Sequence, residues 1–119
     1  MNDKPLSLAG CVAEAAETVR EANHATMQAP FAANDAYDVV GHVGVLVHRH
    51  GQLLDFLSDQ LRRADPAGYF DDRGHDPAVA LCHAHGALTD ARGLVADVGA
   101  FLDRAHNELG HLGRITTED

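Results

Sequence analysis

The sequence predicts an all-α protein, a long antiparallel helical hairpin with a shorter N-terminal helix packed alongside as a three-helix bundle. Three observations predict it. Two long stretches repeat apolar residues at alternating steps of three and four, the period of a helix that buries one face. Pro30, Pro66 and Pro77 stand where those stretches begin or end. The 119 residues suffice for one domain, and with 45% apolar residues but only 5% aromatics its core must be built from Leu, Val and Ala. Such a core favours close helix packing over a large ligand pocket.

Helices are expected over residues 7–29, 35–64 and 77–111, with tails at 1–6 and 114–119. Ser7 suits the N-cap of the first helix. Its stripe of Leu8, Val12, Ala15, Val19, Ala22 and Thr26 is thin and rich in Ala. Pro30 disfavours helical geometry at Ala29 and ends it. Asn34 or Asp35 can cap the second helix, and Arg62 and Arg63 suit the negative end of its dipole. Three rows at seven-residue spacing predict its buried side: Val40, Val47, Leu54, Leu61; Val43, His50, Leu57, Ala64; and Val39, Leu46, Leu53, Gln60.

The third helix has the most regular pattern. Asp76-Pro77 reads as N-cap and first helical residue. The run Leu81, Ala84, Leu88, Ala91, Val95, Val98, Leu102, Ala105, Leu109, Leu112 is the pattern of knobs-into-holes packing, and a flanking row of Ala80, Ala87, Leu94 and Phe101 is expected to widen the stripe to the width of a bundle. Gly110 and Gly113 can end it. Residues 65–75 read as a loop, with Tyr69 and Phe70 expected to fold back over the end of the bundle. Gly44 and Gly51 share one face of the second helix, and Gly86, Gly93 and Ala100 one face of the third. These small residues suggest a second contact surface.

Eighteen acids against nine basic residues give a net charge of −9. Nucleic-acid binding and anionic membrane surfaces both call for Lys and Arg, so neither partner is expected. No apolar run reaches transmembrane length. Leu8-Ala9-Gly10-Cys11 resembles a lipobox but lacks the basic and apolar stretch before it, and it reads as the first turn of a helix in a cytoplasmic protein. Two cysteines are too few for a disulfide scaffold.

Nine histidines invite a search for metal ligands. Glu21-x-x-His24 and Asp103-x-x-His106 have di-iron spacing, but both pairs lie off the predicted stripes, where core ligands would have to sit. Cys82 and His85 are helix neighbours that supply half of a zinc set. The acidic run from Asp71 fails the calcium-loop pattern, since Cys82 stands where its last carboxylate belongs. No phosphate loop or nucleophile elbow occurs, and no catalytic residue or cofactor is predicted. Zinc or another transition metal on Cys82 and His85 is the alternative.

Tyr37-Asp38-Val39-Val40-Gly41, Gln52-Leu53-Leu54-Asp55 and Asp76-Pro77 resemble stretches of uncharacterised small all-helical proteins of actinomycetes, some of which accompany mobile genetic elements. The resemblance covers residues 35–112 and implies fold and source, not activity. Secreted helical hairpins with a Trp-x-Gly turn have a similar size, but this chain has no Trp. The functional expectation is a non-enzymatic interaction protein that binds a protein partner or itself, as a homodimer that joins hairpins into a larger bundle. A metal-binding bundle is the alternative. His50, in a row of core positions, is expected to face the core or a subunit seam.

Overall fold

The computed structural model describes residues 7–27, 33–113 and 115. Among these the chain forms α1 (Leu8–Ala25), α2 (Ala33–Arg63), a short 3-10 turn (Pro66–Gly68) and α3 (Pro77–Leu109), with no strand. The all-α class follows directly from the patterning. The tails expected at 1–6 and 114–119 lie outside the described residues, apart from Ile115, as does the Pro30 stop. The chain divides into two units, Met1–Ala33 and Asn34–Asp119.

In the first unit, the Ser7 hydroxyl accepts a hydrogen bond from the Gly10 N–H at 3.0 Å, the expected cap of α1. No residue of this helix is buried. Its Glu17 and Arg20 pair along the surface.

In the second unit, α2 begins at Ala33, so Asp35 lies within the first turn and acts on the dipole there. The turn after α2 is capped by Asp65, whose carboxylate accepts from the Ala67 N–H at 3.0 Å. Gly74 has φ +80, a left-handed conformation that a side chain would strain. Asp76 then accepts from the Ala78 N–H at 3.0 Å, and Pro77 opens α3 as expected. Tyr69 is exposed and Phe70 is 86% exposed, so neither folds over the end of the bundle. Gly110 caps α3 with φ −66, without the left-handed geometry usual for such a glycine. Its value lies elsewhere: a Cβ there would stand 3.2 Å from the Tyr37 ring.

The helices α2 and α3 pack together as an antiparallel pair. Contacts move backwards along α3 as α2 advances: Gly41 meets His106, Val47 meets Gly99, Gly51 meets Arg92, and Ser58 meets Thr89. Solvent exposure identifies the seam. On α2 it runs through Val40, Gly44, Val47, Gly51, Leu54, Ser58 and Leu61, with Gly51 and Leu54 buried and the others half-buried. On α3 it runs through Leu81, His85, Leu88, Arg92, Val95, Gly99, Leu102, His106 and Leu109, all half-buried. Both alternate steps of three and four, as knobs-into-holes packing requires.

One expected row on each helix is therefore correct, and the expected row Val39, Leu46, Leu53, Gln60 lies outside the seam with Val39, Leu46 and Gln60 exposed. The row Val40, Val47, Leu54, Leu61 and the row Leu81, Leu88, Val95, Leu102, Leu109 lie in the seam. The alternating rows do not match. Gly44, Gly51 and Ser58 take the place expected for Val43, His50 and Leu57, while His85, Arg92, Gly99 and His106 take that of Ala84, Ala91, Val98 and Ala105, although Leu57 and Ala91 stay half-buried at the seam's margin. Small residues on one helix admit long or planar polar ones from the other. The His106 ring lies over Gly41 and stacks on Tyr37 with ring centres 4.2 Å apart. Arg92 crosses Gly51 and donates to Asp55 at 3.0 Å. Near the loop, Thr89 donates to the His85 carbonyl, so the proton in its 3.3 Å bond with Ser58 comes from the serine.

Two outcomes follow. Leu54, 9% exposed, is the one buried apolar side chain among the described residues, so Leu54→Ala is expected to lower stability by about 2 kcal/mol or more in urea unfolding. Glycines should separate by their surroundings in the same assay. Gly86→Ala and Gly93→Ala add a methyl group to open space and should each gain roughly 0.5–1 kcal/mol of helix propensity. Gly41→Ala drives a methyl group to 2.8 Å from the stacked His106 ring and should lose stability instead.

Candidate interaction surface

The seam divides the hairpin into two faces. On a helix, the residue before a seam position and the residue after it lie on opposite sides, each turned by about 100°. Reversing a helix also reverses the sense in which its positions run around the axis. In an antiparallel pair, the residues before the seam positions of both helices therefore share one face, and the residues after them share the other.

The groove on the second face bears this out. Gly41, Val45 and His48 from α2 join Ala96, Ala100 and Asp103 from α3 around one open depression of about 560 Å³. Each of these residues directly follows a seam position. The groove is floored by small residues and edged by His48, Arg92, Asp103 and His106. His106 thus belongs to the seam, contrary to its expected place off the stripe, and the signal that could have revealed it was the glycine at position 41.

The first face is apolar. The residues before the seam positions are Val39, Val43, Leu46, His50, Leu53, Leu57 and Gln60 on α2, and Ala80, Ala84, Ala87, Ala91, Leu94, Val98, Phe101, Ala105 and Glu108 on α3, so that Gln60 and Glu108 bound the apolar stretch at its ends. Most are exposed, Leu94 to 66% and Phe101 to 61%, and Leu46 and Val98 to about half. The contact pattern sets Leu46 level with Phe101 and Leu53 level with Leu94 across the pair. The Arg104 guanidinium lies 4.6 Å from the Phe101 ring centre and shields part of one edge.

His50 is exposed in the middle of this face. The expectation that it faces the core of the chain is corrected. Gly51 occupies that place, because a glycine lets α3 come close where an imidazole would hold it off. Gly44 and Gly51 likewise serve the seam inside the hairpin, whereas Gly86 and Gly93 have no atom within 4 Å of where a Cβ would stand.

Cys82 is exposed and His85 is half-buried, and both border a shallow depression of about 250 Å³ beside Arg62 and Leu61. Among the described residues no three His, Cys, Asp or Glu side chains gather closely enough to hold a metal. No helix among them is long and apolar enough to cross a membrane.

The displaced acid groups belong to local ion pairs. Arg20 holds the Glu17 carboxyl below its ordinary range, Arg62 does the same for Asp59, and Arg73 for Asp71. Asp71 accepts from the Arg73 backbone N–H at 2.8 Å and from its guanidinium at 3.0 and 2.7 Å, which closes the turn before Gly74. No known family, curated protein or solved structure matches the chain.

The Asp71 turn has a definite pH signature. Because its pKa is lowered on folding, the stability it contributes is present at neutral pH and fades as pH falls through that lowered value. In an NMR titration the Asp71 carboxyl is expected to deprotonate below the usual aspartate range, and Arg73→Ala should move it back up.

Proposed function

We propose that this chain is a non-enzymatic interaction protein whose docking surface is the apolar face of the α2–α3 hairpin. The observation that carries the reading is the placement of Leu46, Leu94, Val98 and Phe101 together in solvent while the hairpin's own seam admits Gly44, Gly51, His85, Arg92 and His106 among its Val and Leu side chains. Contiguous exposed apolar patches on soluble chains mark protein or membrane contacts. The excess of acids disfavours an anionic membrane and favours protein. A homodimer that joins hairpins into a larger bundle is one form of such docking, in a protein of the cytoplasm.

The groove on the other face offers no assembled set of groups for chemistry. His48, Arg92, Asp103 and His106 edge an open depression, and Arg92 is committed to Asp55.

The reading is tested by the double variant Leu94→Glu with Phe101→Glu. An exposed apolar face must either bind an environment-sensitive apolar dye or be covered in an assembly. The wild type is expected to show one or the other, by dye fluorescence or by sedimentation. The double variant should lose whichever it shows, and its far-ultraviolet helical signal should persist. A wild type that neither binds dye nor assembles would refute the reading.

A further inference from the structure

Resting on that reading, we infer that the occupant of the apolar face is a second copy of this chain, with α2 of each copy lying on α3 of the other around a two-fold axis parallel to the helices. Size, symmetry and charge lead to this arrangement.

The face reaches the low end of stable interfaces. From Val39 to Leu57 it runs about 28 Å along α2 at 1.5 Å per residue, and two helices side by side are about 20 Å wide. The apolar footprint is then on the order of 550 Å² per copy, near the ~600 Å² per partner at which standard interfaces begin and in keeping with a dimer that dissociates on dilution.

Symmetry fixes the register. A rotation about an axis parallel to the helices leaves every residue at its own height. Each position on α2 then meets the α3 position of the second copy that is already level with it inside one hairpin. Leu46 falls against the partner's Phe101, and Leu53 against the partner's Leu94. The bulky residues of the face thus meet one another at its centre, and no sliding is left free.

Charge selects this axis over the other two-fold. Arg49 and Asp97 point away from the seam, on the two outer edges of the hairpin, level with the middle of the apolar face. Both are exposed, and neither makes an ion pair among the described residues. With α2 over the partner's α3, Arg49 of one copy comes beside the partner's Asp97, and symmetry makes the pair twice. With the axis across the helices instead, α2 would lie on α2 and α3 on α3. Centred on the same apolar residues, that dimer brings Arg49 to Arg49 and Asp97 to Asp97. Opposite charges in register suppress the wrong pairing, as charged flanks do in coiled coils.

The experiment is analytical ultracentrifugation of the full chain and three variants: Arg49→Asp, Asp97→Arg, and both together. The wild type is expected to be a dimer that dissociates on dilution. Each single reversal sets like charges together at two symmetric places and should raise the dissociation constant about tenfold, two modest surface pairs acting in concert. The double reversal restores both pairs with opposite polarity and should return the constant to within about threefold of wild type. Circular dichroism on the same samples checks that the helices persist. A dye-binding wild type that stays monomeric at all concentrations overturns this inference and leaves the docking reading standing. A dimer that Leu94→Glu with Phe101→Glu abolishes, but that the double reversal fails to rescue, overturns the arrangement alone. A wild type that neither binds dye nor dimerises overturns both.

Discussion

The close approach of α2 to α3 at glycine is the constraint on which the second unit depends. A Cβ at Gly41 or Gly51 would stand 2.8 Å from the His106 ring or 2.9 Å from the Arg92 guanidinium, so these two glycines make room for the side chains that cross from α3, while Gly44 and Gly99 sit at ordinary contact distance. Each interior glycine costs roughly 1 kcal/mol of helix propensity relative to Ala. The return comes from what fills the space. The His106 ring is held between Gly41 and Tyr37, Val47 reaches Gly99, and Arg92 crosses Gly51 to Asp55. Dispersion contacts of this kind are small singly and large in sum. These three fillings bridge the two helices from Gly41 to Asp55 on α2 and from Arg92 to His106 on α3, and they fix the rotation of each about its own axis.

That rotation decides what solvent sees. If α2 turned so that Val43 and His50 faced α3, the apolar rows would be consumed within the hairpin. The glycine notches turn it the other way. Polar side chains enter the seam with their hydrogen-bonding ends near the surface, and long aliphatic rows are left outside. The seam is correspondingly thin, with Leu54 the one buried apolar side chain among the described residues. A hairpin so built has little core of its own. It has strong reason to bury its free apolar face, since each Å² removed from water is worth about 25 cal/mol. The proposed docking surface is thus the complement of the glycine seam, one consequence of a single choice of helix phase.

The electrostatics play a lesser part. The ion pairs within α1 and at the end of α2 are exposed and local, and such pairs contribute little to stability, while the pair in the turn at Asp71 is local with its carboxylate covered. The exception in kind is Asp55 with Arg92, which joins α2 to α3 and sits where the glycine notch lets the guanidinium cross. Its value is positional, because it reports and reinforces the register already set by packing.

The sequence by itself determined the fold class, the number of helices and most of their limits. Ser7 and Asp76-Pro77 cap as their chemistry dictates, and the Pro and Asp residues of the loop end α2. These are local effects, decided within a few residues of chain, so a linear reading reaches them. It also found the seven-residue rows through Leu54 and Leu88. Only the tertiary structure decided which second row completes each seam. Periodicity gives the direction of an apolar stripe to within about one residue's turn, near 100°, and two adjacent rows on each helix were both acceptable by that measure. The choice between them rests on whether a Gly on one helix stands level with a His, Arg or Val on the other. That is a relation between residues 40 to 65 positions apart, and hydrophobicity carries no record of it. His50 and His106 exchanged their expected places for this reason: one shares its row with Val43 and Leu57 but has a glycine beside it that fits the seam better, and the other looks like a surface residue until Gly41 is set opposite.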